Sequence, residues 1–249
     1  MNQENTKVMI ISKDKKIKND FNINVNNKEI KHSPVVKILG YKVNEELNWD
    51  SMLLKGNDSL ICQLKTRLRT ISKIGNFLDT KMVKQYVNAI FRGKMLFGME
   101  IWGGSALGTI DKLDKLQSNA ARLALGKDWS NKTDAQRLKH LKWLPIRDEI
   151  NYVTHKMTHK ILNIAKPEEI SSLMPMATRD SRIRDQRKLD TKPKILNNTD
   201  KLRKSFRSRA YAYNMLPGPI TTIKKKIKFS KALHTYMLTG QLPMDQIRR

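Results

Sequence analysis

The hydrophobic pattern changes period once along this chain, which limits the fold to a small β-rich head followed by a helical body. Up to residue 41 apolar side chains alternate. Residues 7–12 read as a short strand, Phe21, Ile23 and Val25 alternate, and Asn26-Asn27 is a turn signal. Lys28 to Tyr41 alternates again toward a hairpin that runs through Val35-Val36-Lys37-Ile38-Leu39-Gly40. From Leu60 the recurrence becomes three and four, through Leu64, Leu68, Ile71 and Ile74, and Gly75 stops that helix. Thr80 is the expected cap of a second helix bearing Met82, Val83, Tyr86, Val87, Ile90 and Phe91 on one face, and a third starts at Thr109 and stops at Gly126. Thr133 caps a fourth, and Pro145 opens a fifth that carries Ile146, Ile150, Val153, Met157, Ile161 and Ile164. Residues 176–204 lack apolar periodicity and read as a charged linker, before a last ordered piece around Phe206 to Leu216, Phe229 and Leu233. The expected fold class is mainly α with a small N-terminal β-hairpin region (α+β), the helical bundle being followed by a basic helical C-terminal region.

Charge narrows the partner. The 249 residues hold 49 Lys+Arg against 23 Asp+Glu, a formal net charge of +26. Residues 171–249 contribute +14 of it and residues 61–130 a further +7. A balance of this kind calls for a polyanion, either nucleic acid or an anionic membrane surface. Before residue 61 every basic residue is lysine, whereas arginines gather at Arg67, Arg69 and Arg92 and again from Arg179 to Arg209. The planar guanidinium fork suits phosphate oxygens, so two phosphate-contacting regions are expected. The longest wholly apolar run is four residues, Val8 to Ile11, far short of the roughly 20 of a membrane span or the roughly 7–15 of a signal-peptide core. The expected location is therefore intracellular, nuclear or cytoplasmic, without signal peptide or transmembrane segment. A lone cysteine, Cys62, offers neither an internal disulfide nor the thiolate set of a zinc knuckle.

No constellation of catalytic residues stands out. The carboxylate pairs Asp111/Asp114, Asp148/Glu149 and Glu168/Glu169 each fall in the first turn of an expected helix, where they complement the helix dipole. His155 and His159 have ligand spacing at i, i+4, but there is no glutamate in the zincin position and no third ligand nearby. The expectation is no catalytic residue, no metal ligand and no cofactor within these residues. Trp49, Trp102, Trp129 and Trp143 sit at helix boundaries, where a large ring more often plugs a core than stacks on a base.

The segment Ile38-Leu39-Gly40-Tyr41-Lys42-Val43-Asn44-Glu45-Glu46-Leu47-Asn48-Trp49 resembles the hydrophobic-Leu-Gly element, ending in Leu-x-Trp, of reverse transcriptases from non-LTR (LINE-type) retrotransposons. Further elements resemble that family in the same order. Asn2 to Met9 is similar to the end of the palm (Asn-x-x-Lys-Thr-x-x-Met), and Met95 to Trp102 to the Leu-x-Tyr-Gly-x-x-x-Trp element. Leu116 to Arg122 is similar to the Leu-Gln-x-x-Ala-x-Arg helix, Leu141 to Ile146 to Leu-x-x-Leu-Pro-Ile, and Tyr213 to Pro217 to Asn-x-Leu-Pro.

The resemblance implies an organisation. Residues 1–59 would be a palm remnant with the primer-grip hairpin, Leu39, Gly40 and Tyr41 forming the grip. Residues 60–128 would be a thumb-like helical bundle, 129–175 a helical extension, and 176–249 a basic linker with a C-terminal helical segment. The expected nucleic-acid contacts are Lys37, Lys42, Arg67, Arg69, Lys73, Lys84, Arg92 and Lys94, held against RNA, DNA or an RNA–DNA hybrid through phosphates and without a base code. The family is an RNA-directed DNA polymerase that uses Mg2+ held by an Asp-Asp motif. No Asp-Asp dipeptide occurs among these residues, and Asn5 stands at the family's lysine position. The resemblance therefore implies a chain that is inactive alone, with palm and fingers supplied in trans if at all. The alternative expectation is a non-enzymatic basic adaptor that binds protein or acidic membrane through its C-terminal segment.

Overall fold

The computed structural model describes residues 6–12, 22–25, 28–164 and 205–247, and the chain divides into two compact units, Met1–Arg69 and Thr70–Arg249. The expected linker 176–204, Glu168/Glu169 and the Asn5 position lie outside the described residues. The fold is mainly α with a small N-terminal β part, as the change of period predicts.

In the first unit β1 (Asn22–Val25) pairs antiparallel with β2 (Lys28–Lys31), placing Ile23 opposite Ile30. A second antiparallel pair joins β3 (Val35–Ile38) to β4 (Tyr41–Asn44). The alternation expected to run unbroken from Lys28 to Tyr41 is thus interrupted at Ser33-Pro34. Proline has no N–H for a ladder, and the Ser33 hydroxyl donates to the Val35 carbonyl at 2.9 Å. Of the strand expected over residues 7–12, one parallel bridge remains, Val8 with His32. His32 secures it: its Nδ1 accepts from the Ile10 N–H at 3.2 Å, and its Nε2 donates to Glu45 Oε2 at 2.6 Å. The short helix α1 (Asp50–Leu53) is tied to β4 by the buried Asn44, whose Nδ2 donates to Asn48 Oδ1 at 2.7 Å and whose Oδ1 accepts the Asn48 N–H at 3.0 Å.

The boundary between the units falls within α2 (Leu60–Gly75), ten residues beyond the 59/60 boundary that the resemblance implies. The second unit continues with α3 (Thr80–Tyr86), a π-helical turn over Val87–Arg92, α4 (Gly93–Leu96) and α5 (Met99–Trp102). The cap of α3 is Asp79, not Thr80: its carboxylate accepts the Met82 N–H at 2.6 Å. Then come α6 (Leu107–Leu125), a 3-10 turn (Lys127–Trp129), α7 (Asp134–Leu141) and α8 (Ile146–Ile164). Thr133 caps α7 in a full capping box with Gln136, as its sequence signal predicts. Because α6 begins at Leu107, two residues early, Asp111 and Asp114 lie beyond its first turn. They serve as tertiary ties: Asp114 Oδ1 accepts the Ile146 N–H at 3.1 Å, and Asp111 pairs with Arg147 at 3.2 Å.

The core of this unit gathers Phe91, Met95, Met99, Trp102, Leu113 and Leu144, all fully buried. Full burial of side chains this size is worth about 1.5–3 kcal/mol each. Two of the sequence elements that carry the resemblance meet here, buried Gln117 of α6 donating to the Leu144 carbonyl at 3.0 Å, while the Trp102 indole closes its own element by donating to the Phe97 carbonyl at 3.0 Å.

The C-terminal piece comprises α9 (Phe206–Ala210), a 3-10 turn (Tyr211–Met215), α10 (Gly218–Thr221), α11 (Lys226–Thr239) and α12 (Met244–Ile247). It is not a separate segment. Ile161 and Leu162 of α8 share one buried cluster with Ala210, Tyr213, Ile220, Phe229 and Leu233. Arg209, at the end of the expected phosphate-contacting arginines, is turned inward, its Nη2 donating to the Glu100 carbonyl at 2.6 Å. Gly103 makes room for it, since a Cβ there would lie 2.6 Å from Arg209 Nη1 and 2.7 Å from Ile150 Cγ2. Among the described residues no helix is long and apolar enough to cross a membrane.

Candidate nucleic-acid interface

In the first unit the expected grip is the tip of the β3–β4 hairpin. Ile38 pairs with Tyr41, so Leu39 and Gly40 form a two-residue loop, with φ of +49° and +88°. Tight hairpins favour this double positive φ because it matches the strand twist. Gly40 adopts it freely, whereas a leucine bears about 1–2 kcal/mol of Cβ crowding in that region. Leu39 is nonetheless 88% exposed, so no packing of its side chain repays the strain. Lys37 and Lys42 face each other one pair below the tip. Lys42 is committed to an ion pair with Asp58, and that contact holds the Asp58 carboxyl below the usual carboxylate range.

Asparagine tolerates the left-handed region, and Asn-Gly is the preferred pair for such a loop. Leu39→Asn is therefore expected to stabilise the chain by about 1 kcal/mol in urea denaturation. If the exposed leucine touches a partner, the same change weakens hybrid binding several-fold. A loss of stability would contradict the strain account.

On α2, Arg69 and Lys73 lie one turn apart on one face and both are exposed, whereas Arg67 is half-buried. Lys84 is half-buried, and Lys94 is drawn over the Phe97 ring at 5.9 Å. Arg92 departs from expectation altogether. Its side chain is 12% exposed, lies over the Trp143 ring at 4.6 Å, and brings Nη2 to 3.4 Å from Glu149 Oε2. Burial lowers the Arg92 pKa and raises that of Glu149, while their mutual attraction opposes both shifts. Arg92 is thus an internal counter-ion rather than a phosphate contact.

The ordered ring and imidazole sites are largely structural. Trp102 and Trp143 are buried core residues, as expected. His155 is buried, which lowers its pKa to about 4. His159 donates from Nε2 to the Ile223 carbonyl at 2.6 Å and stacks on Phe229 at 3.8 Å. Among the described residues no group of three or more His, Cys, Asp or Glu side chains could hold a metal ion.

A cleft of about 800 Å³ that residue spacing does not reveal opens in the second unit, where the α2–α3 turn meets the ends of α6 and α7. Arg122, Lys127, Lys132 and Arg137 line it against a single carboxylate, Asp134. Arg137 is satisfied: Nε donates to the Trp129 carbonyl at 3.0 Å, Nη2 to the Ser130 carbonyl at 2.7 Å, and Nη1 to Asp134 at 2.6 Å. Burial alone would raise the Asp134 carboxyl, but the Ser118 hydroxyl and the Arg122 and Arg137 guanidiniums outweigh it and hold the group below its ordinary value. Arg122, 57% exposed, shares that carboxylate at 3.4 Å, while Lys127 and Lys132 are exposed. Trp129, half-buried, lines the cleft with its ring 4.2 Å from the His140 ring. The sequence signal for these cations is modest: Arg122 stands in the last turn before Gly126, and the two lysines in the loop before the Thr133 cap.

Comparison with protein-family models, with curated proteins and with solved structures gives no match for this chain.

Proposed function

We propose that these residues are the gripping part of a non-LTR retrotransposon reverse transcriptase, a primer-grip hairpin and a thumb-like helical body, binding RNA, DNA or their hybrid through the backbone without performing catalysis. The observation that carries the reading is the order of the sequence elements from Ile38 to Pro217, taken with the cations around them. The described geometry is compatible with it in two respects. Two of the elements quoted for the resemblance, Leu116 to Arg122 and Leu141 to Ile146, are joined in the second unit by the Gln117 bond to the Leu144 carbonyl, and exposed cations remain at Lys37, Arg69 and Lys73. Backbone recognition of this kind requires cations at the surface and no particular base-reading side chain.

Mg2+ belongs to the aspartates of the family's palm, and no Asp-Asp pair is among these residues. The adaptor reading relies on a separable C-terminal segment, whereas residues 205–247 share their core with α8, so no observation favours it. The test is equilibrium binding of a primed RNA–DNA hybrid to the purified chain over a range of salt, with Mg2+ and nucleotides added in a parallel reaction. Binding that weakens with salt, without primer extension, supports the proposal. Metal-dependent extension overturns its noncatalytic part.

A further inference from the structure

We propose that the cleft between the α2–α3 turn and the ends of α6 and α7 binds one nucleotide unit of a single nucleic-acid strand, the phosphate on Arg122, Lys127 and Lys132 and the base against Trp129. This deepens the nucleic-acid reading above and rests on it. Four cations face one carboxylate in the cleft, and that carboxylate already has two guanidinium partners. An incoming oxyanion therefore meets a lining of net positive charge, supplied chiefly by the exposed Lys127 and Lys132.

The helix end is not the source of this preference. The capping box on Thr133 already occupies the Thr133 and Gln136 N–H groups at the start of α7. Side chains supply the field, and the exposed guanidinium of Arg122 has the fork geometry that phosphate oxygens accept. The volume, about 800 Å³, is within the range of sites that hold small organic groups, roughly 300–1,000 Å³. Trp129 decides between a phosphate strand and an acidic peptide. A half-exposed indole beside three cations is the pairing that single-strand binders use, since every base has a π-face to stack and every nucleotide a phosphate. Unlike Trp102 and Trp143, it is not enclosed by the core.

The test uses the full chain and a fluorescein-labelled 12-nucleotide oligouridine, read by anisotropy. The variant Arg122→Gln/Lys127→Gln/Lys132→Gln changes exposed side chains and leaves the core intact. A control, Lys224→Gln/Lys225→Gln/Lys226→Gln, removes the same charge from exposed positions outside the cleft. The cleft variant should lose at least about 10-fold in affinity, and its log K against log salt slope should become shallower by about 0.7, the value for one fewer phosphate contact on a single strand. The control should lose less than about threefold at the same salt. Trp129→Ala should cost about 10-fold with unchanged slope, as loss of stacking without loss of charge predicts.

Equal losses in the two triple variants would overturn the site. AMP or inorganic phosphate that quenches Trp129 as tightly as the 12-mer would assign the cleft to a free phosphate compound and overturn the strand. Displacement by an oligoglutamate of equal charge at equal concentration would overturn the nucleic-acid assignment. Binding of a primed hybrid with an unaffected cleft variant removes this inference alone, whereas a wild-type chain that binds no nucleic acid removes the broader reading as well.

Discussion

Removing residues 205–247 should abolish the cooperative unfolding transition of the helical body, not trim a tail from it. Ile161 and Leu162 would lose Ala210, Tyr213, Ile220, Phe229 and Leu233 from their cluster. His159 would lose both its acceptor, the Ile223 carbonyl, and the Phe229 ring stacked on it. Exposing Ile161 and Leu162 at about 1.5–3 kcal/mol each comes to about 3–6 kcal/mol, a large part of the whole stability of an ordinary domain, about 5–15 kcal/mol. Circular dichroism melts of the full chain and of residues 1–204 should therefore show a sharp transition in the first and a broad or absent one in the second. Equal midpoints would mean that the C-terminal helices are energetically independent of α8.

A second large effect is expected at the buried ion pair. Glu149→Ala leaves the Arg92 guanidinium in the interior without its counter-charge, while Trp143 and the surrounding apolar groups exclude water from it. Breaking one side of such a pair costs about 3–5 kcal/mol. Replacing both partners by apolar residues of similar volume, Arg92→Met with Glu149→Leu, should cost far less, because no unpaired charge remains. Urea denaturation of the two variants measures the contrast. The double variant also separates structure from binding, since a guanidinium held between the Trp143 ring and Glu149 releases no phosphate counterions and the salt dependence of nucleic-acid binding should stay as in the wild type. A shallower slope in that variant would return Arg92 to the interface.

These two sites show where sequence reading succeeds and where it stops. Helix α2 was legible to its last residue because Leu60, Leu64, Ile71 and Gly75 state both a period and a stop. The Thr133 cap was equally plain, since Thr and Gln three apart are a local device. The region from Val87 to Trp102 was not legible as a broken helix. The sequence reading carries a helix only as far as Phe91, and neither the π-helical turn over Val87–Arg92 nor the left-handed Gly98 has a spacing signal of its own.

Charge was the least transparent feature of all. An arginine on an expected amphipathic helix reads as surface, and only the partner Glu149, 57 residues away, reveals Arg92 as internal. Likewise Arg209 belonged to a basic run until the Glu100 carbonyl and Gly103 gave it a place inside. The cleft cations escaped for the opposite reason. Arg122, Lys127 and Lys132 follow no helical period, and the wall that makes them a site comes from the α2–α3 turn some 45 residues earlier.

The central claim, that this chain grips nucleic acid by its phosphates, is tested most directly by the affinity of the full chain for a primed RNA–DNA hybrid measured from about 50 to 300 mM salt. Each neutralised phosphate contributes about −0.7 to −0.9 to the slope of log K against log salt, so four to six contacts predict a slope of about −3 to −5. A slope near zero, or binding too weak to measure at about 50 mM salt, would contradict the account.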